Sequence, residues 1–206
     1  MVECRLMLTI ETGAGAPARL AAALASGEVA SVVISVAEGA PAGDVQALIG
    51  AVQGAGAAAL IRDDAHLART LKADGVHLSA GNAKAFGEAR EIVGGRAIVG
   101  LDAGRSRHEA MVAGEAGAEY VAFGIPGHVE DRAKAHRRRC ELVAWWSEIF
   151  EVPVVAFDVA TAEEATQLAA AGADFIALSL PAREPPAASG ELVRAVHAAI
   201  AGEAVA

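Results

Sequence analysis

Three aspartates stand at or just beyond the ends of short apolar runs. They are Asp63, Asp102 and Asp158. If those runs are neighbouring parallel strands, the three carboxylates can meet at one edge of the sheet and bind a metal ion or a cationic substrate. A single aspartate in such a place is more often the cap of the next helix. For three aspartates at matching places, a shared site and three separate helix caps are about equally favoured.

Other polar residues follow the same kind of run. Arg62, Arg105 and Ser179 are candidates for binding a substrate, together with Asp102 and Asp158. His77 lies inside an apolar run, where a core histidine satisfied by a neighbour is favoured over a polar group on the floor of a cavity. Either way, the alternation of side chains along a strand predicts that His77 points into the sheet's interior layer.

A basic cluster occupies the start of a predicted helix. It contains Lys134, His136 and the run 137–139, which is Arg-Arg-Arg. Such a cluster can hold an anion, but a run of charges more often forms a solvated helix face. The solvated face is the favoured interpretation.

The elements that position these residues are predicted by a repeat. Stretches 73–79, 118–124 and 173–179 each join a small residue and an acid to a short apolar run. Each follows an alanine-rich helical stretch, which is typical of a helix leading into a buried parallel strand. Apolar runs predict eight strands, at 6–10, 29–36, 57–61, 75–78, 97–101, 120–123, 154–157 and 175–178.

Eight strand–helix units in 206 residues predict a single (β/α)₈ TIM barrel over residues 1–206. A doubly wound open sheet is the rival, but Gly13 and Gly15 form only part of the glycine-rich turn that it usually has. Side chains of Asp64, Asn82, Ser106 and Ser189 are expected to cap the helices that follow them. In a barrel the functional site lies at the carboxyl ends of the strands.

Composition excludes some classes of function. The net charge of −9 argues against nucleic acid and anionic membranes as partners. The start of the chain lacks the apolar core of a signal peptide, and no apolar run is long enough to span a membrane. Cys4 and Cys140 have no metal-ligand spacing and read as reduced thiols, so a cytoplasmic location is expected.

Several of these stretches together resemble the thiamine phosphate synthase and thiazole tautomerase family. They are 60–64, 73–78, 98–100, 117–124, 153–156 and 171–174. The resemblance spans roughly the third to the eighth predicted strand and implies a (β/α)₈ barrel. In the synthases a pyrimidine diphosphate loses pyrophosphate with the help of Mg²⁺, and a thiazole phosphate captures the pyrimidine cation.

The same resemblance shows which residues of this chain depart from the synthase pattern. The Gln, Arg and Lys that hold the diphosphate after the second strand are Val33, Ser35 and Ala37 here. One metal-binding aspartate survives as Asp63, which the resemblance implies as a ligand of Mg²⁺. The second has become Asn82.

Further changes follow strands five to seven. Asp102 replaces a serine, and Asp158-Val159 replaces the Gly-Gly whose backbone approaches the thiazole phosphate. The T-x-T-K loop after the sixth strand is absent, with Lys134 only a loose substitute, while Ser179 matches. The tautomerases carry a Gly-His-Val in that loop, and the same triplet, three residues later in this chain, implies His128 as an acid–base residue.

These departures leave three hypotheses for function. The chain retains thiamine-precursor chemistry in altered form, with Asp63 binding Mg²⁺ and His128 and His77 as candidate catalytic residues. Alternatively it is a different enzyme whose barrel-mouth carboxylates bind a cationic or non-phosphorylated ligand, or a non-catalytic ligand-binding or regulatory homologue. All three expect a small-molecule ligand, which is phosphorylated under the first, and leave a homodimer open. Ordinary synthase activity is doubtful under each of them.

Overall fold

The computed structural model describes residues 4–125 and 128–202, and it forms a closed barrel of eight parallel strands. Each strand pairs with its sequence neighbours, and the eighth pairs with the first. A helix follows every strand along the chain. The predicted (β/α)₈ TIM barrel is therefore confirmed, and the rival open sheet is wrong.

The strands agree with the predicted apolar runs to within one or two residues. They are β1 (Arg5–Glu11), β2 (Val29–Ser35), β3 (Ala58–Arg62), β4 (Gly75–Leu78), β5 (Ile98–Asp102), β6 (Tyr120–Phe123), β7 (Val154–Val159) and β8 (Phe175–Ser179). The helices are α1 (Ala16–Leu24), α2 (Ala42–Gly54), α3 (Ala65–Thr70), α4 (Phe86–Val93), α5 (Arg107–Glu115), α6 (Arg132–Ile149), α7 (Ala162–Ala170) and α8 (Pro186–Ala201). None of these helices is long and apolar enough to cross a membrane.

Two of the four predicted helix caps are correct. The Asp64 side chain accepts a hydrogen bond from the Leu67 amide at 2.8 Å, and Ser106 accepts one from Glu109 at 3.1 Å. Asn82 makes no side-chain cap, because its amide donates to Asp63 instead. Ser189 lies buried inside α8, which already begins at Pro186, so its predicted cap is wrong.

Two apolar layers hold the barrel together. The larger layer lies between the sheet and the helices, and it includes Val76 and Leu78 on either side of His77. The smaller layer fills the inside of the barrel, with Met7, Val33, Leu60, Tyr120, Ala122, Val155, Phe157 and Ala177. This division follows from the alternation of side chains along each strand.

Glycine at position 100 makes room for the largest inner side chain. A Cβ atom at Gly100 would lie 1.9 Å from the Tyr120 ring. Any side chain there would therefore displace Tyr120, which forms part of the floor beneath the barrel mouth.

Candidate functional site

The floor of the barrel mouth is an aromatic stack around His77. The imidazole is buried, its Nδ1 lies 2.8 Å from the Tyr120 hydroxyl, and its ring stacks on Phe157 with centroids 4.6 Å apart. Burial, reinforced by the Arg62 charge, lowers the pKa of His77 to about 3. His77 is therefore neutral at physiological pH. Its inward direction is confirmed, and its catalytic role stays a prediction.

Asp102 and Asp158 come together above this floor. A Cβ atom built on Gly124 would lie 2.7 Å from Asp158 Oδ2 and 3.3 Å from Asp102 Oδ2, so both carboxylates flank the same glycine. Asp158 Oδ2 also accepts a hydrogen bond from the Ile125 amide at 2.9 Å, and Asp102 Oδ1 accepts one from Gly104 at 2.7 Å. We call Asp102 and Asp158 the carboxylate pair.

The Asp102 carboxyl group lies close enough to Asp158 to be affected by its charge. Burial raises the pKa of Asp102 to about 6, and the neighbouring Asp158 charge adds to that rise, while the Gly104 amide opposes it. A carboxyl group with such a pKa gains and loses its proton near neutral pH. The pair can therefore exchange a proton with a ligand or bind a cationic group.

Asp63 lies at the third strand tip in a different environment. Its Oδ1 accepts hydrogen bonds from the Ser79 amide and from Asn82 Nδ2, each 2.8 Å long. Partial burial works to raise the pKa of Asp63, but the hydrogen bonds from Ser79 and Asn82 outweigh it and the pKa is lowered. Asp63 thus joins the β3 tip to the β4 tip as a stable anion.

The remaining predicted site residues do not converge on one point. Arg62 is half-buried at the end of β3, and its Nε is buried without a hydrogen-bond partner among the described residues. Its charge acts on both His77 and Asp102, so it belongs to the mouth. Ser179 is exposed and accepts a 3.0 Å hydrogen bond from Thr9 across the β1–β8 seam.

Neither His128 nor Arg105 makes a hydrogen bond or ion pair with the carboxylate pair among the described residues. His128 is exposed on the loop before α6, and Gly127, the first residue of its predicted motif, is outside the described residues. Arg105 lines a separate cavity beside α6. Their predicted roles in catalysis and substrate binding gain no support from these positions.

Side chains of α6 and α7 fix the backbone that carries Asp158. Arg139 is 1% exposed and donates to the Phe157 carbonyl, and Arg132 donates to the Asp158 carbonyl. Both guanidinium groups contact the Glu164 carboxylate, Arg139 at 3.0 Å and Arg132 at 3.4 Å. We call Arg132, Arg139 and Glu164 the clamp.

The clamp holds a strained turn. Asp158 has φ 58°, in the left-handed region that non-glycine residues rarely adopt, and the pairing of β7 with β8 shifts register across it, between Ala156 and Val159. Such a conformation persists only when the surrounding structure holds it in place. The clamp and the Ile125 amide together provide that support.

Sequence reasoning missed the clamp, because Arg139 lies in the run interpreted as a solvated helix face. That interpretation is wrong for His136 and Arg139, which are buried. The signal was present in the spacing, since the buried residues of α6 are Ala135, His136, Arg139, Leu142, Val143 and Trp146. They recur every three or four residues, as one face of a helix does. Nothing in the sequence indicated that Tyr120, whose hydroxyl contacts His77, is a polar residue on the floor of the barrel mouth.

Few of the described side chains could serve as ligands of the Mg²⁺ that the family resemblance implies. In residues 4–125 and 128–202, no three or more His, Cys, Asp or Glu side chains are grouped so that they could hold a metal ion. Asp63 supplies one carboxylate, and Asn82 presents it with an amide donor rather than a second carboxylate. The residues do not fit a protein-built magnesium site, and the three aspartates do not form one cluster.

Comparison with known proteins identifies the family. The family model described as thiamine monophosphate synthase matches residues 10–180. The chain is 41% identical over 188 residues to a thiamine-phosphate synthase of Rhodospirillum centenum, covering 86% of this chain and 88% of that protein. It is 45% identical over 122 residues to one of Erythrobacter litoralis, covering 58% of this chain and 57% of the relative.

A solved structure agrees with the fold. The thiamine phosphate pyrophosphorylase of Pyrococcus furiosus superposes with a TM-score of 0.73 at 20% identity, covering 96% of both chains. The family match covers most of the chain, from β1 to the end of β8, and the Rhodospirillum relative aligns over nearly its full length. The chain therefore belongs to the thiamine monophosphate synthase family.

Proposed function

We propose that this protein is a diverged member of its family, which binds a small molecule at the barrel mouth but does not carry out the ordinary thiamine-phosphate synthase reaction. In this proposal the carboxylate pair receives a cationic or hydrogen-bond-donating group of the ligand. Asp102 exchanges a proton with that group near neutral pH. The reaction that this arrangement supports is a proton transfer rather than a displacement of pyrophosphate.

The observation that carries the proposal is the position of the Asp158 carboxylate. It accepts the Ile125 amide hydrogen at 2.9 Å and lies beside Asp102. A phosphate group bound at this turn would meet two carboxylate side chains and would compete with Asp158 for the backbone donor. Anion binding here is therefore disfavoured in a place where the family pattern has two glycines.

The second candidate function is the ordinary synthase activity. Two relatives at 41% and 45% identity bear the name thiamine-phosphate synthase, which favours it. Arg62 supports it as well, because this half-buried cation at the mouth makes no ion pair among the described residues and could bind a phosphate oxygen.

A direct assay separates the two candidates. Purified protein is supplied with the pyrimidine diphosphate, the thiazole phosphate and Mg²⁺, beside the Rhodospirillum centenum synthase. We expect turnover at least about 100-fold below that control, because the loss of one well-placed charge donor commonly costs that much. Turnover within about tenfold of the control would restore the ordinary function.

A matched variant tests the role of Asp158. Asp158→Gly removes the carboxylate and suits the left-handed backbone. We expect the thiazole phosphate to bind this variant more tightly than it binds the parent, whereas Asp44→Asn, which removes an exposed carboxylate from the first turn of α2, should not increase binding. Equal affinity of the Asp158 variant and the parent would contradict the proposed exclusion of phosphate.

A further inference from the structure

A cavity lies outside the barrel mouth, between α6 and the loop that precedes α5. It encloses about 510 Å³ and is lined by Arg105, Val129, Asp131, Lys134, Ala135, Arg137, Arg138 and Glu141. It shares no residue with the carboxylate pair or with the clamp. We call it the basic pocket.

Positive charge predominates in the basic pocket although the whole chain carries a net charge of −9. Four of its lining residues are cationic and two are acidic. One acid, Glu141, is paired with Arg138 at 2.9 Å, and the other, Asp131, uses its Oδ1 to accept the amide hydrogen of Lys134. Arg105, Lys134 and Arg137 are left without a carboxylate within 4 Å in the part of the chain that the structure describes.

Convergence from separate elements distinguishes this pocket from a solvated helix face. Lys134, Arg137 and Arg138 lie on adjacent turns of α6, but Arg105 comes from the loop between β5 and α5. The start of α5 also contacts α6 beyond the pocket, because the Arg107 guanidinium lies 4.5 Å from the centre of the Trp145 ring. The cations of α6 and the cation of the loop between β5 and α5 therefore line the same cavity.

The chemistry of these walls selects an oxyanion. Like charges held close together repel one another, and a bound anion relieves that repulsion. Guanidinium groups match the geometry of phosphate oxygens through paired hydrogen bonds, and the lysine adds a mobile point charge.

We propose that the basic pocket is a second ligand site, which binds a phosphate or diphosphate group independently of the barrel mouth. Arg105, Lys134 and Arg137 bind the anion. Arg138 contributes less, because Glu141 already neutralises it. This inference does not depend on the proposed function, since it uses none of the same residues.

The test measures binding of inorganic pyrophosphate to the full chain by isothermal titration calorimetry at low ionic strength, with inorganic phosphate and sodium sulfate as comparison anions. We expect saturable binding of pyrophosphate with a Kd below about 1 mM. The triple substitution Arg105→Gln, Lys134→Gln and Arg137→Gln should weaken it at least about tenfold. All three side chains are exposed, so circular dichroism should show an unchanged fold.

Two control variants locate the site. Arg96→Gln removes an exposed cation elsewhere on the barrel and should leave the affinity unchanged. Arg138→Gln should weaken binding less than about threefold. Absence of saturable binding, an unaffected triple variant, or an equal loss in Arg96→Gln would each overturn the proposal, whatever the synthase assay shows.

Comparing the affinities for inorganic phosphate and pyrophosphate indicates the size of the group that the pocket binds. Tighter binding of pyrophosphate than of phosphate supports a diphosphate ligand, and similar affinities support a phosphate monoester. Sulfate binding as tightly as either would mean that the pocket only screens charge, and would contradict the proposed site.

Discussion

Asp63 and Asp102 occupy comparable places in the barrel and behave in opposite ways. Asp63 directly follows β3 and Asp102 is the last residue of β5, yet the pKa of Asp63 is lowered and the pKa of Asp102 is raised to about 6. Asp63 is partly exposed and receives two hydrogen bonds from the neighbouring strand tip. Asp102 is more deeply buried, has one backbone donor, and lies near a second carboxylate.

The difference shows that a carboxylate's role depends on its donors and its burial more than on its place along the strand. On the β3–β4 side, the aspartate connects two loops. On the β5–β7 side, the clamp fixes the backbone of Asp158, and the neighbouring Asp102 is left with a proton to exchange. Substitutions can change one of these two sides at a time.

The largest effect is expected from removing the clamp's carboxylate. Glu164→Gln leaves the buried Arg139 without its anion, which should lower the free energy of unfolding by about 3 kcal/mol. It should also loosen the Asp158 turn. Urea unfolding of the variant, compared with Glu163→Gln on the exposed neighbouring residue, measures the cost. Equal stabilities of the two variants would show that the clamp does not support the turn.

An intermediate and pH-dependent effect is expected at Asp102. Because its folded pKa is raised above its unfolded value, the favourable contribution of Asp102 is present at low pH and is lost as the pH rises from about 4 to about 6. Asp102→Asn mimics the protonated form, so it should be more stable than the parent by about 2 kcal/mol at pH 8. The advantage should shrink towards pH 4.

Thermal and urea unfolding of Asp102→Asn and the parent at pH 4, 6 and 8 test this expectation. Glu38→Gln, at an exposed loop residue, is the control and should show no such trend. A constant difference across this range would mean that Asp102 titrates as an ordinary surface carboxylate.

The smallest effect on stability is expected at Asn82. Asn82→Asp replaces a hydrogen-bond donor by a second negative charge beside Asp63, so the pKa of Asp63 should rise while stability falls by about 0.5 kcal/mol. Mg²⁺ should reverse the rise, because two carboxylates with free oxygens can share a cation.

Carboxyl NMR titration with and without Mg²⁺ measures the rise in the pKa of Asp63 and its reversal by the metal ion. Asn82→Ala, which removes the donor without adding charge, should raise the pKa of Asp63 less and should not respond to Mg²⁺. If Mg²⁺ shifts the parent as strongly as the Asn82→Asp variant, the metal site already exists and the predicted role of Asp63 as a ligand gains direct support.

The sequence by itself determined the barrel. Eight apolar runs joined by alanine-rich helices predict the strands to within one or two residues, because buried parallel strands must be apolar on both faces. The inward direction of His77 followed from the same alternation. Family membership was also predicted correctly from stretches such as 73–78 and 117–124, which lie in strands and turns where neighbours constrain residue type.

Only the tertiary structure decided what the polar residues do. Asp63, Asp102 and Asp158 look alike in the sequence, but the donors to Asp63 and Asp158 lie 16 to 33 positions away along the chain. The carboxylate beside Asp102 comes from a different strand, β7. Arg139 looks like part of a surface run, yet the helix face it occupies is buried against Phe157 and Glu164. The physical reason is that burial and hydrogen bonding across the barrel are long-range along the chain, whereas periodicity is local.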